Sequence, residues 1–193
     1  MSLEVVMGPM FSGKSSFIAS TVKRHHSVGA RVLVIKPGND NRYSTASDVI
    51  THDGVRVPCY TTNTDLMKVP NQITTDADLI VIDEAQFFDD LVLFVKCEVE
   101  NFGRHVVVVG LDGDFDRKPF GQILECIPLA DKVTRLTAFC AYCRDGTPGL
   151  FSRRKIDQTG QVLVGGADLY EPLCRPCFLW YAAASSSPST NSG

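Results

Sequence analysis

The segment Gly8-Pro9-Met10-Phe11-Ser12-Gly13-Lys14-Ser15 fits the pattern G-x-x-x-x-G-K-[S/T] at every fixed position. Its glycines permit a tight turn in which successive backbone N–H groups point into one concavity, a seat for anionic oxygens. A helix that starts where the loop ends adds the positive end of its dipole to the same seat. In this pattern Lys14 reaches the terminal phosphates of a nucleoside triphosphate, and the Ser15 hydroxyl ligates Mg²⁺. The competing reading is a chance match in a structural turn. Context disfavours it, because the apolar run Leu3 to Met7 precedes the loop and helical spacing follows it.

A phosphate loop needs an acidic partner at the end of a buried strand. Asp83 follows the apolar run Leu79 to Ile82 and can hold Mg²⁺ directly or through water. Glu84, next to it, is placed to take a proton from an attacking oxygen. If that oxygen belongs to water the chain is an ATPase; if it belongs to a substrate hydroxyl the chain is a kinase. The plainer alternative for Glu84 is a salt-bridged or solvent-facing carboxylate.

Four of the seven cysteines form two Cys-x-x-Cys pairs, Cys140/Cys143 and Cys174/Cys177. The N-terminus carries no secretory leader pattern, so a metal explains them better than disulfides, with a redox dithiol as the weaker alternative. Four thiolates suit a closed, tetrahedral, structural Zn²⁺ with no open position for catalysis. Such a site contributes about 10–16 kcal/mol of apparent binding free energy to a small unit. Here it would staple the base of the long excursion 144–173. Cys59, Cys97 and Cys126 are scattered and expected to pack as small buried hydrophobes.

The elements that position these groups alternate. Strands are expected at Leu3–Met7, Arg31–Pro37, within Ala77–Phe87, within Arg104–Phe115 and at Asp131–Phe139. Helical patterns follow Lys14, stopping near Gly29, and run from Asp89 towards Gly103. The stretch Gly38–Asp53 has loop composition. Continuous apolar strands alternating with helices predict an α/β fold of the P-loop type, a mostly parallel sheet covered on both faces. Ligands of such sheets sit at the carboxyl ends of the strands, where the motifs above fall. Gly149–Tyr170 reads as two short extended runs around Asp157-Gln158-Thr159-Gly160. The expected organisation is a nucleotide domain over 1–139, a four-cysteine lid module over 140–181 and a small, polar, disordered tail over 182–193.

The 193 residues, 44% hydrophobic and 21% charged, suffice for one core with an appendage. A formal net charge of −3 argues against a chain that lives on nucleic acid. The one basic patch in the excursion is Arg153-Arg154-Lys155. No apolar run is long enough to span a membrane, and a cytoplasmic location is expected.

Taken together these segments resemble the zinc-containing thymidine kinases of cellular, bacterial and poxvirus type. The resemblance runs from Leu3 to Cys177 through "GPMFSGKS", "VIKP" with Asp40, Asn41, Arg42 and Tyr43, "TH" at Thr51-His52, "IDEAQFF", "LDGDF" with "RKPFG", "VGGADLY" and both cysteine pairs. It implies ATP- and Mg²⁺-dependent phosphorylation of the thymidine 5′-hydroxyl to dTMP, a step of nucleoside salvage for DNA synthesis. Glu84 is then the general base, and Lys14, Ser15 and Asp83 serve the phosphates and metal, with Ala85 and Gln86 beside them. Asp40, Asn41 and Arg42 line the phosphate side, Arg42 neutralising charge on the transferred group. Phe87 and Phe115 pack by the nucleoside, with Met10 and Leu111 nearby. Main-chain groups of Gln161, Val162, Leu163, Val164 and Gly165 hydrogen-bond the thymine edge, and Tyr170 approaches the sugar. The resemblance further implies a homotetramer and feedback inhibition by dTTP, with no stable nucleic-acid partner.

Taken singly, Phe87, Phe88, Phe115 and Phe120 also suit a core, and Arg117 and Lys118 a solvated turn. His52 is given no catalytic role. Three rival functions remain at this point: a P-loop kinase for another nucleoside or nucleotide, an ATP-dependent nucleic-acid-binding module with a zinc ribbon, and a regulatory nucleotide switch.

Overall fold

The computed structural model describes residues 1–38, 48–51, 54–156, 160–161 and 165–186. In chain order the strands and helices are β1 Ser2–Met7, α1 Lys14–His26, β2 Val32–Pro37, β3 Asp48–Ile50, β4 Arg56–Pro58, β5 Tyr60–Thr62, α2 Asn71–Thr75, β6 Leu79–Ile82, α3 Leu91–Lys96, β7 His105–Gly110, β8 Lys132–Arg135, β9 Ala138–Phe139, β10 Pro148–Gly149, β11 Phe151–Arg154, β12 Tyr170–Leu173 and α4 Arg175–Ser186.

Six strands form one sheet in the order β5-β2-β6-β7-β1-β8. Every pairing within it is parallel. The three central strands explain themselves by composition. Val5, Val6, Leu79 to Ile82 and Val106 to Val109 are buried almost without exception, as a parallel sheet covered on both faces demands. One face packs on Leu66, Phe88, Leu91, Phe94 and Ile123, the other on Ile18 and Val22 of α1. The chain is thus α/β with a parallel central sheet.

Some elements depart from the sequence reading. The edge strand β5 and the β3–β4 hairpin lie in stretches rich in Thr, Asp and Pro, with no apolar run to mark them. After Lys96 the α-helix widens into a π-helical stretch, Cys97–Asn101, before Gly103 ends it. The fifth predicted strand is split: β8 joins the main sheet, whereas β9 pairs with β10 in the cysteine module. The boundary drawn after Phe139 therefore falls at the end of β9, one strand inside that module. The expected tail also begins too early, since α4 continues to Ser186. Its Ala182-Ala183-Ala184 run has the highest intrinsic helix propensity, and no proline intervenes before Pro188. In the excursion, β11 pairs antiparallel with β12 Tyr170–Leu173, a strand the sequence did not mark, whereas the extended run expected between Gly160 and the glycine pair falls mostly on 162–164, outside the described residues. The segments 39–47, 52–53, 157–159, 162–164 and 187–193 lie outside the described residues, and with them Asp40, Asn41, Arg42, His52, Val162, Leu163 and Val164.

Candidate active site

Because β1, β2, β6 and β7 run parallel, their carboxyl ends share one edge of the sheet. That edge carries the Gly8–Ser15 loop (the candidate phosphate loop) after Met7, the Asp83–Glu84 pair after Ile82 and the 111–118 turn after Gly110. One strand, β7, separates the loop from the acidic pair, which at about 4.8 Å per strand sets them roughly 10 Å apart.

The Gly8–Ser15 loop is built by its local chemistry. Gly13 has φ of 85°, in the left-handed region where glycine carries no penalty, and α1 starts at the next residue. Phe11 also has a positive φ, 64°. A side-chain-bearing residue there costs on the order of 1–3 kcal/mol and persists only where its surroundings hold it. Lys14 lies back over the loop, its Nζ donating to the carbonyls of Gly8 (3.1 Å) and Pro9 (2.7 Å). The Ser12 hydroxyl is buried with no hydrogen-bond partner among the described residues. A buried hydroxyl in that state costs about 1–3 kcal/mol, and a phosphate oxygen would supply the missing acceptor. Ser15 and Asp83 could hold a divalent cation, since a hydroxyl and a carboxylate are hard oxygen donors.

Glu84 is the second strained position, with φ of 48°. The turn is locked from both sides. Glu84 N–H donates to Asp83 Oδ1 (2.9 Å), and Gln86 Nε2 donates to Glu84 Oε2 (2.6 Å). The other end of the Gln86 amide accepts from Leu111 N–H (2.9 Å), tying the acidic turn to the end of β7. Gln86 is 4% exposed, and the backbone opposite it must be bare: a Cβ on Gly110 would lie 2.5 Å from Gln86 Oε1. Ala85 is buried beside it.

The nucleoside-side candidates are partly assembled. The Phe87 ring meets Phe120 edge-on at 5.4 Å, so it is braced by a core aromatic and half-buried. Leu111 is buried at the strand end. The Phe115 ring lies under the guanidinium of Arg154, 3.8 Å from its centroid, and the same guanidinium donates to Tyr170 Oη (3.2 Å). Gln161 Nε2 donates to Asp114 Oδ2 (2.8 Å), which joins the excursion to the 111–118 turn. Met10 N–H donates to Ser152 Oγ (2.9 Å), which joins the excursion to the phosphate loop. Gly165 sits further along, against Leu169. A cavity of about 100 Å³ lies to one side of these parts, lined among others by Pro9, Asp112, Asp114, Arg117, Arg135 and Ser152, and none of Phe87, Phe115 and Tyr170 lines it.

Sequence reading missed three of these groups. Ser152 and Arg154 are two apart on β11, and both are buried, so strand alternation was the available signal. Asp114 was overlooked as a hub: its carboxylate also accepts from the N–H groups of Asp116 and Lys118. Correspondingly, Arg153-Arg154-Lys155 does not form a solvated basic patch. Arg153 pairs with Glu171 (2.5 Å) and stacks on Tyr181, Arg154 is buried, and Lys155 Nζ donates to the carbonyl of Ala167. Arg117 is exposed, in keeping with the solvated-turn alternative, and its guanidinium also lies over the Phe178 ring at 4.7 Å.

All four cysteines of the two pairs converge, their sulfurs within 4.8 Å of one another. Cys143 Sγ stands 3.8 Å from Cys174 Sγ and 3.6 Å from Cys177 Sγ. A tetrahedron of metal–sulfur bonds near 2.3 Å has edges of about 3.8 Å, so the cluster fits a structural metal. Burial works against the Cys140 thiolate, yet N–H groups of Cys143, Cys174 and Tyr142 hold its pKa down to about 6. Sulfur contacts with Cys174, together with burial, push Cys177 up. Such neighbours cannot all be thiolates without a cation among them. The module is closed by Leu173 and Phe178, with Phe151 packed against them. Cys126, outside the cluster, is buried and its thiol is pushed up to about 12 by desolvation. Cys59 and Cys97 are half-buried rather than buried.

The family model described as "Thymidine kinase" matches residues 1–178. The chain is 44% identical over 182 residues to "Thymidine kinase a" of Arabidopsis thaliana, covering 92% of this chain and 75% of the relative. It is 44% identical to a "Thymidine kinase" of Oryza sativa subsp. japonica, covering 92% and 66% respectively. Against "Thymidine kinase" of Vaccinia virus (strain Western Reserve) the identity is 41% over 178 residues, covering 92% of this chain and 96% of the relative. A family match over residues 1–178, with relatives of this identity and coverage, shows that the chain belongs to the thymidine kinase family.

Proposed function

We propose that this chain transfers the γ-phosphoryl group of ATP to the 5′-hydroxyl of thymidine, giving dTMP and ADP. Family membership supports the acceptor. The single observation that carries the catalytic assignment is the Gln86 amide, which ties the Glu84 carboxylate to the end of β7 beside the phosphate loop. In the reaction the thymidine 5′-oxygen forms a bond to Pγ, the bond from Pγ to the β,γ-bridging oxygen breaks, and the hydroxyl proton passes to Glu84. The loop N–H groups and Lys14 hold the phosphates, with Lys14 leaving its carbonyl partners to do so, and Ser12 contributes its hydroxyl. Mg²⁺, held by Ser15 and Asp83, supplies charge neutralisation on the β- and γ-phosphates when bound. Arg42, with Asp40 and Asn41, completes the phosphate side.

On the acceptor side Phe87, Phe115, Met10 and Leu111 bracket the nucleoside and Tyr170 faces the sugar. Backbone groups from Gln161 to Gly165 read the thymine edge. A lid that excludes water favours transfer over hydrolysis. Zn²⁺ is the metal best suited to four thiolates, and it would clasp the lid at its base. A reducing, cytoplasmic setting suits those thiolates. We also expect a homotetramer, and inhibition by dTTP, whose base and sugar match the acceptor and whose triphosphate suits the phosphate loop. The fate of the Arg153–Lys155 segment weighs against a nucleic-acid ribbon. The test is label transfer from γ-labelled ATP. Label recovered in dTMP supports the proposal; label found only in inorganic phosphate overturns it.

A further inference from the structure

Arg154 is a charged side chain only 7% exposed, and its guanidinium serves four groups at once. One terminal nitrogen donates to the carbonyl of Gly160 (2.7 Å), and the other donates to the carbonyl of Gln161 (3.0 Å) and to Tyr170 Oη (3.2 Å). The guanidinium carbon also lies 3.8 Å above the Phe115 ring. These partners come from three places. Tyr170 is its cross-strand neighbour on β12, Gly160 and Gln161 belong to the excursion, and Phe115 follows β7 in the nucleotide domain. A buried cation is costly to strand and rigid when fully engaged, and the planar fork of arginine satisfies several acceptors at fixed angles in a way lysine cannot. Two residues earlier on the same strand, Ser152 accepts the N–H of Met10, so β11 is anchored to the phosphate loop as well.

We infer that Arg154 is the positioning residue of the acceptor side: it holds Phe115, Tyr170 and the Gly160–Gln161 backbone in one arrangement and thereby sets thymidine affinity. The inference rests on the reading of thymidine as acceptor. The four partners named above all belong to the acceptor side, so removing the fork loosens the nucleoside side and leaves the ATP side alone.

The experiment is steady-state kinetics on the full chain with its metal loaded, after the wild-type protein has been seen to require thymidine. Failure of that first step counts against the functional proposal rather than against Arg154. Arg154→Lys keeps the charge and loses the fork; Arg154→Gln keeps a donor amide and loses the charge. For each, KM for thymidine, KM for ATP, kcat and bound metal are measured. The expected result is a thymidine KM raised tenfold or more in both variants, with KM for ATP and metal content within twofold of wild type. Thymidine KM within twofold of wild type would overturn the inference. So would a parallel rise in both KM values, which marks a general loosening, or failure of both variants to fold, which would make Arg154 a residue of stability alone.

Discussion

Replacing Gln86 by leucine tests how the acidic turn is held. The side chain becomes one bond shorter and loses both hydrogen bonds, one to Glu84 Oε2 (2.6 Å) and one from Leu111 N–H (2.9 Å). The two losses have separate readouts. Leu111 N–H is stranded in a buried setting, which costs about 1–3 kcal/mol of stability. For a domain of this size each kcal/mol lowers the melting temperature by roughly 2–4 °C. A hydrogen bond to a charged partner is worth about 1.5–3 kcal/mol, and misplacing the base by even part of that lowers turnover about tenfold for each 1.4 kcal/mol. Gln86→Leu should therefore melt several degrees lower and turn over roughly ten- to a hundredfold more slowly, with KM for ATP little changed. The assay is differential scanning fluorimetry beside thymidine-dependent ADP release, repeated in a Glu84→Gln background. There the stability loss should persist while turnover falls no further, because the two changes act on one carboxylate. Unchanged turnover in the single variant, or full additivity in the double, would refute the idea that the amide positions Glu84.

Further outcomes follow from the same geometry. Glu84→Gln should lower turnover by about 10²-fold or more while ATP binding, read by fluorescence titration, stays close to wild type. Gly110→Ala should destabilise by about 1–3 kcal/mol in chemical denaturation, since its Cβ would press to 2.5 Å on Gln86 Oε1. Cys174→Ser should lose bound metal, read by elemental analysis, and with it thymidine turnover, because a cluster with sulfurs within 4.8 Å loses one of its four ligands. Full metal content in that variant would contradict the four-ligand account. Excess dTTP at low thymidine should slow the reaction, and an unchanged rate would remove dTTP as an inhibitor.

Some of this architecture was legible in the sequence for plain physical reasons. The strand, loop and helix at Leu3–His26 combine an apolar run, fixed glycines and helical spacing, so local chemistry dictates the outcome. Leu79 to Ile82 could only be a strand buried on both faces, and the carboxylates after it had to emerge at the sheet edge. The four cysteines announced their convergence by spacing. What escaped was polar structure whose partners are distant in sequence. Arg154 next to Arg153 and Lys155 reads as a basic patch, because nothing local reveals the Phe115 ring and the carbonyls that bury it. Ser152 is an ordinary strand serine until Met10 arrives from the far end of the chain. The edge strand β5 is only half-buried, and the short β3–β4 hairpin buries just Val49 and Val57, too few residues to make an apolar run.

The central claim is that the phosphate held by Gly8–Ser15 goes to thymidine. The most direct measurement is ADP release from ATP and Mg²⁺ by the purified chain, with and without thymidine, against cytidine, deoxyadenosine, dTMP and single-stranded DNA. The account predicts release that requires thymidine, with dTMP formed in equal amount and no response to DNA. Release that ignores thymidine and rises with DNA would contradict it, and the acceptor-side assignments would fall with it.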